Sequence, residues 1–128
     1  MGTEILEDKN VLLIDDDLTI VQLVTAILQR CRAKVTWITN PEEGFGMEKN
    51  EKYDVVILDR YMQHVDGHDI LAQFKQHPTM QDTPVIMLSG ESKSSEIMES
   101  IKLGAAGYVV KPFDEKGFLH QIVKILSK

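Results

Sequence analysis

VLLIDDD at residues 11–17 joins a continuous apolar run to three consecutive aspartates. Short runs of valine, isoleucine and leucine that do not alternate with polar residues are typical of strands buried on both faces of a parallel sheet. Four more such runs follow along the chain, and each is too short to form a helix. We predict strands at Val11–Ile14, Lys34–Ile38, Asp54–Leu58, Val85–Leu88 and Gly107–Val110.

The segments between these runs carry apolar residues at helical spacing, which indicates amphipathic helices that connect successive strands. The clearest sets are Leu18, Val21, Val24, Ile27 and Leu28, then Ile70, Leu71 and Phe74, then Ile97 and Ile101, and finally Phe118, Leu119, Ile122, Ile125 and Leu126. A fifth helix is predicted at Pro41–Asn50, where Asn40 is a suitable N-cap and Pro41 suits the first helical position. Gly44 and Gly46 make this the weakest of the five patterns. Strict alternation of strand and helix predicts a doubly wound α/β fold.

The composition is that of an ordinary globular protein, with 43% hydrophobic and 27% charged residues among 128. This length predicts a single domain over residues 1–128, with a core at about residues 10–127. The net charge of −6 and the scattered basic residues leave no footprint for nucleic acid or anionic lipid, so we expect no direct binding to either. Cys31 is the only cysteine, which excludes an intramolecular disulfide. Without a signal-peptide pattern or an apolar run near the ~18 residues that span a bilayer, we expect a cytoplasmic protein and no membrane partner.

Acidic side chains stand where two of the predicted strands end. Asp15 and Asp16 follow the first strand, and Asp59 follows the third. In a doubly wound sheet the carboxyl ends of the strands share one edge, where such proteins bind their ligands. Several carboxylates without histidine or cysteine suit a hard cation, and Mg²⁺ is the best candidate because it needs few carboxylates besides water and phosphate oxygens. Taken one at a time, each aspartate could instead cap a helix or stand in a turn.

Two further strand ends carry groups that suit phosphoryl chemistry. Ser89 places a hydroxyl after the fourth strand, and Lys111 places a cation after the fifth. Four strand ends with such groups make chance placement in turns an unsatisfactory explanation. No glycine-rich phosphate loop follows the first strand, which argues against a nucleotide-binding or dehydrogenase domain. His64 and His68 are four residues apart, but Gly67 lies between them and a zinc site on one helical face is not expected.

Five motifs carry a family resemblance. They are Val-Leu-Leu-Ile-Asp-Asp-Asp at 11–17, Asp-Val-Val-Ile-Leu-Asp at 54–59, Val-Asp-Gly at 65–67, Ile-Met-Leu-Ser-Gly at 86–90 and Gly-Tyr-Val-Val-Lys-Pro-Phe at 107–113. Through them essentially the whole chain resembles the CheY-like receiver domains of two-component response regulators. The resemblance implies a flavodoxin-like fold, with five parallel strands in the order 2-1-3-4-5 and five helices over both faces of the sheet.

The resemblance also implies a role for each residue at the strand ends. Asp59 would be the phosphoacceptor. The implied Mg²⁺ ligands are Asp15, Asp16, Asp59 and the main-chain carbonyl of Tyr61. Ser89 and Lys111 would contact the phosphoryl oxygens, which fits the charge that these oxygens carry during in-line transfer.

Several neighbouring residues have weaker assignments. Asp17 lies outside the implied ligand set and is expected to cap the first helix. Family members usually have a cis peptide at the position of Lys111–Pro112. Tyr108 stands where the family often has an aromatic side chain that turns inward together with Ser89, but a strand tyrosine with a solvated hydroxyl fits equally well. Trp37 is expected to be a packing residue of the second strand.

The implied function is signalling, and we do not expect an enzyme. A sensor histidine kinase or a phosphotransfer protein would donate the phosphoryl group to Asp59. A downstream effector protein or domain would bind the face formed by the helix around Ile97, the strand Gly107–Val110 and the last helix. The alternative is a degenerate receiver that binds partners without phosphorylation, although the complete set of acids, hydroxyl and lysine argues against it. A phosphatase with an aspartyl nucleophile would need a second acid at Tyr61. A stand-alone receiver and an excised part of a longer regulator both fit this length.

Overall fold

The computed structural model of the protein describes residues 2–40 and 52–128. Five parallel strands form the main sheet: β1 (Asn10–Ile14), β2 (Lys34–Ile38), β3 (Val55–Asp59), β4 (Val85–Ser89) and β5 (Gly107–Val110). They lie in the order β2-β1-β3-β4-β5, which confirms the predicted order. Between β3 and β4 the chain also forms a two-stranded antiparallel ribbon from Tyr61–Met62 and Val65–Asp66, which was not predicted.

Four helices occupy the described part of the chain: α1 (Leu18–Arg30), α2 (Gly67–Gln76), α3 (Ser94–Lys102) and α4 (Glu115–Leu126). They correspond to the four clear helical patterns, and a short 3-10 helix at Thr3–Leu6 precedes β1. The helix predicted at Pro41–Asn50 falls on residues outside the described ranges. Within residues 2–40 and 52–128, no helix has the length and apolar character that crossing a membrane requires.

The sheet separates two apolar clusters, because successive side chains of a strand point to opposite faces. In β1, Val11 and Leu13 join the cluster that includes residues of α1 and α4, whereas Leu12 and Ile14 join the cluster that includes residues of α2. All four side chains are fully buried. Burial of a large aliphatic side chain contributes about 1.5–3 kcal/mol, so β1 is a main source of stability. Burial on both faces also explains why this run has no polar alternation.

Three strands differ slightly from their predicted bounds. β1 begins one residue early, at Asn10. β3 continues through Asp59, which stands opposite Leu88 in the ladder with β4. Asp54, which was predicted in this strand, precedes it and accepts a hydrogen bond from the Asn10 N–H at 2.7 Å. β4 continues through Ser89. The ladder therefore carries both functional candidates, Asp59 and Ser89, on regular main chain at the carboxyl edge of the sheet.

β2 lies at one edge of the sheet and is hydrogen bonded to β1. Ile38 is buried, but Trp37 is 52% exposed. The expectation that Trp37 is a packing residue is therefore wrong. An edge strand has a neighbouring strand on one side only, so one flank of the indole faces solvent.

Candidate functional site

Three carboxylates meet where β1 and β3 end side by side. One oxygen from each of Asp15, Asp16 and Asp59 lies within 4.8 Å of the other two. Asp15 is fully buried and Asp59 is only 4% exposed, whereas Asp16 is exposed. Adjacent pairing of β1 with β3 accounts for the convergence, because it places residues 44 positions apart side by side. Oxygen ligands without nitrogen or sulfur fit a hard divalent cation such as Mg²⁺, which these three aspartates could hold.

Lys111 brings a positive charge into this group of acids. Its Nζ donates hydrogen bonds to Asp59 Oδ1 at 3.0 Å and to Asp15 Oδ2 at 3.2 Å. The residue follows β5, and its main-chain N–H donates to the Ser89 carbonyl at 2.7 Å. The peptide bond from Lys111 to Pro112 is cis, as the resemblance implied. One ammonium group thus bridges the acidic residues of two strands.

The crowding of charges changes the acidity of these groups. Burial raises the pKa of Asp59 to about 6, and the charges of Asp15 and Asp16 act in the same direction, while Lys111 opposes them. Burial likewise raises the pKa of Asp15 above its ordinary value, against the effects of the Asp17 N–H and of Lys111. Burial lowers the pKa of Lys111, but hydrogen bonding to Asp59 and the charges of both carboxylates outweigh it, so this pKa is raised. The ammonium is therefore charged at neutral pH.

Main-chain hydrogen bonds orient the three consecutive aspartates. Asp15 Oδ1 accepts the Asp17 N–H at 2.9 Å. Asp16 Oδ2 accepts the Gln63 N–H at 2.8 Å, which joins it to the turn of the ribbon. Asp17 Oδ1 accepts the Thr19 N–H at 2.9 Å and caps α1, which confirms its predicted role. The run therefore divides into two side chains directed to the site and one that begins the helix.

Gly67 fixes the backbone beside the site. A Cβ at this position would lie 2.3 Å from the Asp59 carbonyl oxygen and 3.0 Å from Arg60 Cα, so no larger residue fits without movement. The Gly67 N–H also donates to the Arg60 carbonyl at 2.7 Å. The Val-Asp-Gly motif pointed to this glycine, but the reason for it is visible only in the tertiary contact.

Ser89 and Tyr108 lie on the neighbouring strands β4 and β5. The Ser89 side chain is 1% exposed, and its Oγ accepts the Glu91 N–H at 3.1 Å. Tyr108 is half-buried, and its hydroxyl donates to the Glu91 carbonyl at 2.8 Å. Both side chains are thus attached to the loop that follows β4. The tyrosine hydroxyl therefore has a hydrogen-bond partner in the protein, and its inward movement with Ser89 stays a prediction.

Two buried side chains near the ribbon, Arg60 and His68, have contacts that were not predicted from the sequence. Arg60 directly follows Asp59 and is buried, with its guanidinium under the ring of Tyr61. His68 is buried and its Nε2 lies 2.7 Å from Ser100 Oγ of α3. The sequence did place a charged residue directly after a fully buried strand, and this position could have indicated that Arg60 is buried beside the site.

Known proteins resemble this chain in sequence and in fold. The profile of the family described as response regulator receiver domain matches residues 11–124. The chain belongs to this family. The family is the one that the five motifs implied.

Curated relatives of the receiver domain are longer proteins. The two-component response regulator ARR10 of Arabidopsis thaliana is 36% identical over 104 residues, which make up 80% of this chain and 18% of ARR10. The alkaline phosphatase synthesis transcriptional regulatory protein PhoP of Bacillus subtilis (strain 168) is 28% identical over 121 residues, or 94% of this chain and 50% of PhoP. The chain thus spans between 18% and 50% of these relatives.

Solved structures share the fold of the receiver domain. The chemotaxis protein CheY4 of Vibrio cholerae superposes with a TM-score of 0.86 at 26% identity, over 92% of this chain and 98% of CheY4. The receiver domain of the sensor histidine kinase PA1611 from Pseudomonas aeruginosa PAO1, solved with magnesium in its active site cleft, gives a TM-score of 0.85 at 16% identity. It covers 94% of this chain and 99% of that domain. The doubly wound α/β fold is therefore shown by structure as well as by sequence.

Proposed function

We propose that Asp59 accepts a phosphoryl group from a phosphohistidine of a sensor histidine kinase or phosphotransfer protein, in a reaction that depends on Mg²⁺. The observation that carries the proposal is the bridge of Lys111 Nζ between Asp59 and Asp15. A lysine held at 3.0 Å from the nucleophilic carboxylate stands where it can contact an incoming phosphoryl oxygen. The buried acids, the lysine and the serine together form a complete set of groups for this chemistry.

In the proposed step, a carboxylate oxygen of Asp59 attacks phosphorus as the bond from phosphorus to the donor histidine nitrogen breaks. The electron pair of that bond returns to the imidazole, and an aspartyl phosphate forms. Lys111 shifts from carboxylate oxygens to phosphoryl oxygens and stabilises their charge. The Ser89 hydroxyl, which accepts an N–H in the present structure, is free to donate its own proton to another phosphoryl oxygen.

The acidic cluster is suited to the cation that this chemistry needs. Asp15, Asp16 and Asp59, with the main-chain carbonyl of Tyr61 from the family resemblance, would hold the ion. Bound Mg²⁺ would neutralise the acids and the transferred group, whose like charges otherwise repel each other. The Gln63 N–H donates a hydrogen bond to Asp16 Oδ2, so the carboxylate of Asp16 is oriented before the ion arrives.

Phosphorylation would then change the affinity for an effector through the face formed by α3, β5 and α4. This face exposes two large apolar side chains to solvent. Met98 is 60% exposed and Ile101 is 48% exposed. Tyr108 of β5 and Ser89 of β4 contact the loop that leads into α3. A movement of that loop towards the phosphoryl group would shift the equilibrium between two positions of the helix. The domain would act as a switch in the cytoplasm rather than as a turnover enzyme, and without direct contact with nucleic acid.

The test is incubation with acetyl phosphate and Mg²⁺, followed by intact-mass measurement. We expect one added phosphoryl group in the wild type and none in Asp59→Asn or in the presence of chelator. Asp17→Asn is the matched control, because this neighbouring acid caps α1 and should leave phosphorylation unchanged. A wild type that gains no mass and shows no Mg²⁺-dependent binding of beryllofluoride would refute the proposal. Retained partner binding by that inactive protein would favour the degenerate receiver.

A further inference from the structure

A buried arginine lies beside the acidic site, on the residue that follows the phosphoacceptor. The Arg60 side chain is only 9% exposed, and a charged group this buried needs counter-charges. Its Nη1 lies 3.0 Å from Asp66 Oδ1, and its Nη2 lies 3.9 Å from Glu96 Oε2. The Tyr61 ring covers the guanidinium at 4.3 Å from the ring centroid. We refer to Arg60, Tyr61, Asp66 and Glu96 as the Arg60 cluster.

The Arg60 cluster joins three elements of the fold. Arg60 and Tyr61 lead from the end of β3 into the ribbon. Asp66 caps α2, with Oδ1 accepting the His68 N–H at 2.8 Å. Glu96 lies in the first turn of α3, and its Oε1 accepts the Tyr61 hydroxyl at 3.3 Å. The start of α3 is therefore attached to the two residues that follow the phosphoacceptor.

Polar contacts dominate the attachment of α3 because the helix has little buried apolar surface. Among its nine residues, Ser100 is the buried one, and its Oγ lies 2.7 Å from His68 Nε2 of α2. Met98 and Ile101, which could have packed on the sheet, are largely exposed. An element with few buried apolar contacts has low local stability, so individual polar contacts have a large effect on its position.

The contact between Arg60 and Glu96 is weak by its geometry. Its 3.9 Å separation lies near the upper limit for an ion pair and is too long for a hydrogen bond. Such a contact can break and reform at low cost. Any movement of α3 away from the ribbon must break it together with the hydrogen bond from Tyr61.

We infer that Arg60 and Glu96 are positioning residues that hold α3 in its unphosphorylated place, and that their contact sets how readily the domain switches. For the phosphorylated state the inference rests on the proposed function. The contact lowers the free energy of the unphosphorylated arrangement only, so its loss shifts the equilibrium of α3 towards the moved position. Loss of the contact should therefore loosen α3 and strengthen the binding of a phosphoryl mimic.

The experiment compares Glu96→Gln with Lys102→Gln, which also removes one charge from the same helix. Lys102 is exposed in the last turn of α3, so its change leaves the Arg60 cluster in place. In the metal-free protein, we expect α3 amides to exchange hydrogen roughly two to five times faster in Glu96→Gln than in the control. With Mg²⁺, we expect beryllofluoride to bind Glu96→Gln more tightly by a similar factor, as measured by isothermal titration calorimetry.

A second comparison shows whether Glu96 acts through Arg60. In an Arg60→Gln background, Glu96→Gln should cause little further change in α3 exchange; if Arg60→Gln does not fold, the single Glu96 variant still tests the inference. Equal or slower α3 exchange in Glu96→Gln, relative to Lys102→Gln, would overturn it. A wild type that does not bind beryllofluoride would instead refute the proposed function. The exchange comparison in metal-free protein would still show whether the contact with Arg60 holds α3 in place.

Discussion

The pKa of Asp59 makes the stability of the metal-free protein depend on pH. Burial and the charges of Asp15 and Asp16 raise this pKa from 3.8 to about 6, although Lys111 acts in the opposite direction. In the unfolded chain the carboxyl ionises near its ordinary value, so between about pH 4 and about pH 6 the folded protein binds more protons than the unfolded chain. The free energy of unfolding contributed by Asp59 must therefore fall as pH rises through this window.

The magnitude follows from the size of the pKa change. One pKa unit corresponds to about 1.36 kcal/mol, so a rise from 3.8 to about 6 costs about 3 kcal/mol once Asp59 is fully ionised. Part of this cost is already present at about pH 5, where the unfolded carboxyl is ionised and the folded one is mostly protonated. Between about pH 5 and about pH 7.5 the linkage relation gives a loss of about 1.4 kcal/mol.

Urea unfolding in chelator at these two pH values measures the effect. Asp59→Asn lacks the titrating group, so its stability relative to the wild type should improve by about 1.4 kcal/mol from the lower to the higher pH. Asp17→Asn should follow the wild type, because an asparagine at this position still caps α1. If Asp59→Asn and the wild type change in parallel with pH, the carboxyl of Asp59 is not destabilised by its surroundings and the reasoning fails.

Three further substitutions test the packing around the site. Gly67→Ala would place a Cβ 2.3 Å from the Asp59 carbonyl oxygen, so we expect a loss of about 1–3 kcal/mol in urea unfolding and weaker beryllofluoride binding. Ser100→Ala leaves the buried His68 Nε2 without its 2.7 Å partner, which should also lower the free energy of unfolding by about 1–3 kcal/mol. Asp16→Asn removes one of three clustered charges and should raise the melting temperature in chelator, by the equivalent of up to about 1 kcal/mol.

Matched controls separate these effects from general sensitivity to substitution. Gly90→Ala introduces a Cβ with no atom within 4 Å and should be nearly neutral. Ser95→Ala changes an exposed serine of α3 and should not destabilise the fold. A Gly67→Ala protein as stable as Gly90→Ala would contradict the close approach to Asp59. A Ser100→Ala protein that matches Ser95→Ala would show that the buried hydrogen bond is dispensable, and a lower melting temperature for Asp16→Asn would show that the acids are not crowded.

The strands and clear helices could be predicted because they depend on local patterns. The run at residues 11–14 is buried on both faces and lacks polar alternation, and the Leu18 to Leu28 pattern became α1 within two residues. Trp37 was placed wrongly because a strand pattern does not reveal whether a side chain lies at an edge with solvent on one flank. The two-stranded ribbon after β3 was missed because each of its strands has only two residues, too few to show a period.

The composition of the site could also be predicted, because Asp15, Asp59, Ser89 and Lys111 each stand at the end of a strand. Arg60 was not recognised as part of the surroundings of the site. Its counter-charges come from the start of α2 and the first turn of α3, and their approach depends on how these helices pack. Likewise, Gly67 was known as part of a motif, whereas its contact with the Asp59 carbonyl required the folded backbone.

The alternation of strands and helices and the chemical groups at the strand ends follow from the order of residues along the chain. How those groups meet depends on the packing of the folded chain. Lys111 contacts Asp15 across 96 positions of sequence, through a strand order that local patterns do not specify. Burial of these charges beside one another raises the pKa of Asp59, since desolvation and repulsion depend on distances in space. The phosphoacceptor was recognisable as a residue at a strand end, but its environment, its acidity and the attachment of α3 beside it depend on the folded chain.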